Sequence, residues 1–357
     1  MILPKKSISN LVRIKDVEPS RLFKHRMDRN ERTHPFNKSF MKKVKDGLSD
    51  ELFMVYPEPE PLYESFSKWL GVRRNQLLFH TGSDLAIKAV FETYIEKGDM
   101  LLMHLPGYAM YKVYANMFGA GIDTLMYDAD LRFDMERFTG MLSDKYRMVV
   151  IENPNGFVGN KHDKRQIEVL IKKANRLGVL VLVDEAYYHF IEETTADLLA
   201  KYDNIIVVRT FSKAFGLAGL RAAYLLSCPR NIENLYRVKP MHEISSVAIF
   251  VISLFLKHNN EFKRFVRETK ISLKYLKESL NTLGIATSDS CANFLAARFG
   301  AVMDCAGLAR HLRKSNFLIR RPFREEHLSE WLRVGTLSLA DEKIMIRKLK
   351  EYIKRNL

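Results

Sequence analysis

Cysteine is scarce in this chain. Its 357 residues hold three, Cys228, Cys291 and Cys305, whose spacing fits neither a disulfide framework nor a metal knuckle. Long hydrophobic runs are lacking too. The longest, Val247–Leu256, is interrupted by Ser253 and falls short of the ~20 residues a membrane helix needs, so no membrane partner is expected. The opening MILPKKSISN carries charge without an apolar centre, which argues against a secretory signal and, with the unpaired thiols, for a reducing cytoplasm. Ten histidines form no H-E-x-x-H pattern, and no Walker loop, Ser-His-Asp set or strand-linked G-x-G-x-x-G is present. Metal hydrolysis, P-loop phosphoryl transfer and dinucleotide-dependent hydride transfer therefore lose their usual signatures. Acidic residues are outnumbered, 42 against 57 basic, for a formal net charge of +15. A nucleic-acid binder is thus the rival class. The cations, however, are spread along the chain, and the densest stretch, 257–277, repeats apolar residues at helical spacing, as a solvated helix face does. No nucleic-acid partner is expected. A basic surface would also steer acidic or phosphorylated small molecules.

What is present is alternation of apolar strands with amphipathic helices. Strand-like runs occupy Gln76–His80, Asp99–Leu105, Arg147–Glu152, Val179–Asp184, Asn204–Arg209 and Ala222–Ser227. A helix from Ser83 or Asp84 to about Gly98 follows the first. Another starts near Asp163, with Ile167, Leu170, Ile171, Ala174 and Leu177 on one face and Gly178 closing it. Such alternation predicts an α/β fold with a mainly parallel sheet covered by helices on both sides. After Lys239 the pattern turns to long helical stretches over 244–283 and short strands near Phe294–Arg298 and Leu332–Gly335. We therefore expect a large domain over 46–240 and a discontinuous small α+β domain from 1–45 and 241–357.

Two strand ends carry chemistry. Gly178–Tyr187 reads GVLVLVDEAY, placing Asp184 where a buried strand stops; Thr210–Arg221 reads TFSKAFGLAGLR, placing Lys213 just past the run Ile205–Val208. Open α/β sheets bind ligands beyond the carboxyl ends of their strands. Desolvation there disfavours an ammonium and leaves an amine able to form a Schiff base with an aldehyde. Taken singly, the lysine reads as a solvated surface charge and the aspartate as a helix cap. Together, with Tyr187 beside the second, they suggest a pyridine-aldehyde cofactor, in which Asp184 keeps the ring nitrogen protonated.

The chain resembles fold-type I enzymes dependent on pyridoxal 5′-phosphate (PLP), of the class I/II aminotransferase superfamily. Within them it is most similar to histidinol-phosphate aminotransferases and threonine-phosphate decarboxylases. The likeness runs from Asn30-Glu31 to Arg333-Val334-Gly335-Thr336. It implies a seven-stranded sheet, with Lys213 binding the cofactor and shuttling a proton, Asp184 on the ring nitrogen, and Tyr187 on the phenolic oxygen. Tyr108, in LPGYAMY, would stack on the ring. Gly82, Ser83 and Asp84, in HTGSD, would hold the phosphate at a helix start, completed by Thr210, Ser212 and Arg221. Tyr56, in VYPEP, would reach the phosphate of a neighbouring subunit, so a homodimer with shared sites is implied; alone, Tyr56-Pro57 reads as a loop turn. Arg333 would grip the substrate α-carboxylate, and Arg320 a substrate phosphate, with Arg321 a neighbour easily confused with it. Asn30 falls in the substrate-binding N-terminal motif.

Two stretches depart from the family. Where it reads N-P-x-N-P-T-G, this chain has Asn153-Pro154-Asn155-Gly156-Phe157-Val158-Gly159, so Gly156 takes the place of the asparagine that bonds the phenolic oxygen. Asn155 would swing in to replace it, or Tyr187 would serve alone. Arg29-Asn30-Glu31-Arg32-Thr33-His34 replaces N-E-N-P-Y. The expected activity is ping-pong transamination of a small, phosphorylated amine or amino acid. The alternative is decarboxylation of a phosphoserine- or phosphothreonine-type substrate on the same cofactor. His80 and His189 lie close enough in sequence to these motifs to be candidates for substrate contact, against the plainer reading of packing residues.

Overall fold

A computed structural model describes residues 2–9, 11, 21–320, 323 and 325–356. Its centre is a seven-stranded sheet: β1 (Leu77–His80), β2 (Met100–Leu105), β3 (Gly121–Met126), β4 (Tyr146–Glu152), β5 (Leu180–Asp184), β6 (Ile205–Thr210) and β7 (Ala223–Ser227). The spatial order is β1-β7-β6-β5-β4-β2-β3. β7 runs antiparallel to both β1 and β6, while the pairs β2–β3, β2–β4, β4–β5 and β5–β6 are parallel. The α/β class and the mainly parallel sheet are as the sequence predicts. β3 is the strand that the pattern did not reveal, because it lies on the sheet's edge and only Leu125 in it is buried.

The strands read as unbroken apolar runs because both faces are covered. Val181, Val183, Ile205 and Val207 enter one core with Phe79, Phe211 and Tyr224; Leu182, Ile206 and Val208 enter the other with Ala86, Val90 and Tyr111. Each such side chain, fully withdrawn from water, contributes ~1.5–3 kcal/mol. The helix Lys164–Arg176 begins where Asp163 accepts a hydrogen bond from the Arg165 amide at 2.7 Å, and it buries Ile167, Leu170, Ile171 and Ala174. Gly178, at φ +70°, ends that turn in a conformation that costs a residue with a Cβ ~1–2 kcal/mol.

A third core gathers Met27, Leu276, Leu280, Leu295, Leu332 and Val334 around the antiparallel pair β8 (Phe294–Arg298) and β9 (Trp331–Gly335). The expected change near residue 240 does not coincide with a change of core. Helix Ser246–Lys257 places Ala248, Val251, Ile252 and Phe255 in a central-sheet core, as does Phe40 from the N-terminal part. Helix Asn260–Thr282 spans both, Phe262 and Phe265 packing with the sheet and Leu276 and Leu280 with the third core. We propose that the division between domains falls within this helix. Among the described residues no helix is long and apolar enough to cross a membrane.

Candidate active site

The parallel strands end on one edge, and the loops leaving that edge carry most of the chemical side chains. β5 delivers Asp184, which is buried; Tyr111 Oη donates to its Oδ2 at 2.8 Å and the Ala186 amide to its Oδ1 at 3.0 Å. Burial pushes its carboxyl up from the usual carboxylate range, and the Tyr111 hydroxyl opposes that. Past β6, half-buried Lys213 donates from Nζ to the Arg29 carbonyl at 2.9 Å and lies 5.6 Å from the Tyr187 ring centroid. Burial, reinforced by the Arg333 charge, lowers the Lys213 pKa to about 8. An amine near neutrality at a strand end is what carbonyl chemistry needs.

The anion-binding end is built from two elements. Helix Gly82–Tyr94 starts with Gly82 at φ +80°, and its N-cap Thr81 makes no side-chain capping bond. Its first amide groups therefore point outward with the helix dipole behind them. Arg221, itself at φ +50°, lays its guanidinium against Gly82, so closely that a Cβ there would collide with Nη2. A cation beside a helix N-terminus is unfavourable alone and becomes favourable when an anion lies between them. Thr210, which ends β6, and Ser212, in the loop that follows, are buried, and the Ser212 amide donates to Thr210 Oγ1 at 3.1 Å. Tyr108 Oη donates to Asp84, which fixes the ring over this edge.

The N-terminal segment crosses the opposite side. Asn30, buried at φ +55°, donates from Nδ2 to Tyr187 Oη at 2.8 Å and leaves its own Oδ1 without a partner. Burial raises the Tyr187 hydroxyl to about 12. Arg333, on β9, donates from Nη1 to the Gly156 carbonyl at 2.8 Å and from Nη2 to the Asp28 carbonyl at 2.6 Å, while its Nε stays unpartnered. Burial, with help from Arg320, brings its pKa down to about 10. The guanidinium carbons of Arg333 and Arg320 lie 5.2 and 5.8 Å from the Phe157 ring centroid. Arg320 is exposed, and Arg321 lies outside the described residues.

Asn155 lies in the loop past β4, but its side chain is turned into that loop. Its Oδ1 accepts from the Phe157 and Val158 amides at 2.8 and 2.7 Å, and its Nδ2 donates to the Pro106 carbonyl at 2.9 Å. A fully buried amide so engaged closes the loop and has nothing left for a ligand. Tyr56 lies apart from the rest, 76% exposed, and stacks on His242 at 4.4 Å. His80 is buried with Nδ1 2.9 Å from the Glu243 carboxylate, and His189 is buried with Nε2 3.1 Å from Tyr224 Oη, so each has a partner within the protein. Two residues escaped the motif reading. Tyr111 lies three positions past Tyr108, one helical turn on, and Glu152 ends β4 as Asp184 ends β5.

These groups suit PLP: a buried carboxylate for a pyridinium, an amine of lowered pKa for an aldehyde, and an arginine facing a helix N-terminus for a phosphate. Comparison with known proteins agrees. Residues 28–349 match the family described as aminotransferase class I and II. The histidinol-phosphate aminotransferase of Thermoanaerobacter pseudethanolicus is 30% identical over 93% of each chain. Among solved structures, the histidinol-phosphate aminotransferase of Sinorhizobium meliloti in complex with pyridoxal-5′-phosphate superposes with a TM-score of 0.88 at 20% identity, covering 99% of this chain and 98% of that one. L-threonine-O-3-phosphate decarboxylase of Porphyromonas gingivalis gives 0.79 at 21% identity, over 92% and 99%. The chain belongs to the class I and II aminotransferases and is a PLP-dependent enzyme.

Proposed function

We propose that this enzyme transaminates a small phosphorylated amine or amino acid, with an oxo acid as second partner. One observation carries the reading: Lys213 and Asp184 stand on neighbouring strand ends, with an anion site at Gly82 and Arg221 on one side and Arg333 on the other. In this scheme Asp184 holds the ring nitrogen protonated, and Tyr108 covers the ring face. Gly82, Ser83, Asp84, Thr210, Ser212 and Arg221 hold the cofactor phosphate. Tyr187 donates to the phenolic oxygen, alone where relatives add an asparagine, because Asn155 is turned into its loop. The bound cofactor supplies an electron sink for the pair released at the substrate's Cα. Lys213 would hold the cofactor through its aldehyde, and its Nζ would accept the proton leaving the substrate's Cα. Its lowered pKa leaves that nitrogen partly unprotonated at neutral pH.

Arg333 meets the substrate carboxylate with a planar two-pronged fork. Arg320, open to solvent beyond Phe157, is placed to meet a second anionic group. The relatives named for histidinol phosphate support a phosphorylated substrate. Phe53, Met54, Val55 and Tyr56, with Met241, leave large apolar side chains exposed, and that supports a dimer in which Tyr56 completes the neighbour's phosphate site. The test mixes PLP-loaded protein with a panel of phosphorylated amines and amino acids. Formation of bound pyridoxamine phosphate supports transamination. Carbon dioxide release without it assigns the decarboxylase reading instead.

A further inference from the structure

Glu152 is a buried carboxyl for which the reaction as described has no use. It ends β4, and its two oxygens are divided between two loops. Oε1 accepts from the Tyr108 amide at 2.5 Å, and Oε2 from the Gly156 amide at 2.8 Å. Space for this carboxyl exists because residues 107 and 156 are glycines: a Cβ on Gly107 would stand 2.6 Å from Oε1, and one on Gly156 would stand 2.8 Å from Oε2. Real Cβ atoms do not come so near. Glu152 and Gly156 are therefore a matched pair, and the departure from the family's asparagine at 156 has a steric partner four residues upstream.

The same glycine reaches Arg333. Gly156 donates its amide to Glu152 and offers its carbonyl to Arg333 Nη1 at 2.8 Å. Burial pushes the Glu152 carboxyl up to about 8 and brings Arg333 down to about 10, while Arg333 draws Glu152 back down and Glu152 draws Arg333 back up. Other charges bearing on this pair are Asp184, Arg320 and Asp28, along with the hydroxyl of Tyr187. We infer that Glu152 is a positioning residue for substrate recognition, acting through the Gly156 loop to hold Arg333 aimed at the substrate carboxylate. One side chain thereby braces the ring-facing Tyr108 and the carboxylate-binding arginine against each other. The inference rests on the role proposed for Arg333.

The experiment measures binding of 2-oxoglutarate to cofactor-free protein by calorimetry, and KM and kcat for a converted amino donor on the PLP-loaded enzyme. Glu152→Gln puts an N–H group against one of the two backbone donors. It should weaken 2-oxoglutarate about tenfold and raise KM by a similar factor, with kcat changed less than about threefold. In an Arg333→Ala background the same change should alter affinity less than about twofold, since the residue it acts through is gone. Equal losses in both backgrounds, or none in the first, overturn the inference. If Arg333→Ala alone leaves affinity intact, the role of Arg333 is what fails. Should Glu152→Gln not fold, as judged by its melting temperature, Gly156→Ala displaces the carboxylate without removing it, and the same criteria apply.

Discussion

Gly82→Ala is the substitution whose outcome follows most directly from the geometry. Gly82 stands at φ +80°, where an alanine loses ~1–2 kcal/mol. Its new Cβ would also occupy the place of Arg221 Nη2. Arg221 is exposed and held by one bond to the Ala218 carbonyl at 3.2 Å, so it can swing aside and the fold survives. What is lost is the arginine's approach to an anion at the helix start, a charge-assisted contact worth ~1.5–3 kcal/mol. The melting temperature should fall by no more than ~3 °C, as ~1–2 kcal/mol implies for a chain of this length. Affinity for PLP should drop about 10- to 150-fold. Titrating cofactor-free protein with PLP by fluorescence quenching measures this, and competition by inorganic phosphate separates loss at the anion site from loss at the ring. Unchanged PLP affinity with an intact fold would refute the placement of the phosphate.

Three further outcomes are expected. Glu261→Ala strips the buried partner from Arg32, whose side chain is 3% exposed and pairs with Glu261 at 2.5 Å; stability in urea should fall by ~3–5 kcal/mol. Lys213→Met should raise the melting temperature of the cofactor-free protein at pH 7. The folded pKa of this lysine, about 8, lies below its ordinary 10.5, so the unfolded chain binds the extra proton, and the native lysine protein gains stability as pH rises from about 8 towards 10.5. The advantage of the methionine variant should shrink across that window. If Tyr56 serves a neighbouring site, co-folding inactive Lys213→Ala chains with Tyr56→Ala chains should regenerate activity beyond either parent, since one site in each mixed dimer would be intact. No recovery would place Tyr56 outside the site.

Strand ends were the legible part of this chain. Apolar runs that stop at Asp184, at Thr210 before Lys213, and at His80 before Gly82 locate the loops because a parallel sheet buried on both faces admits nothing polar until it ends. The same rule would have marked Glu152, had its strand end been weighed like that of Asp184. Asn155 was harder. An asparagine two residues before an open backbone amide closes a turn as readily as it binds a ligand, and here Phe157 and Val158 claim its oxygen. β3 gave no signal, since an edge strand half open to solvent needs no apolar run. The change of core hid inside a single helix, Asn260–Thr282, whose stripe of apolar residues looks alike on both sides of it.

The account depends most on Lys213 carrying the cofactor aldehyde. Reducing the PLP-loaded protein with borohydride and sequencing the labelled peptide tests this without knowledge of the substrate. The expected result is one pyridoxyl group per chain, on Lys213 within Thr210–Arg221, lost in Lys213→Ala. A label on another lysine, or none on protein saturated with PLP, would contradict it.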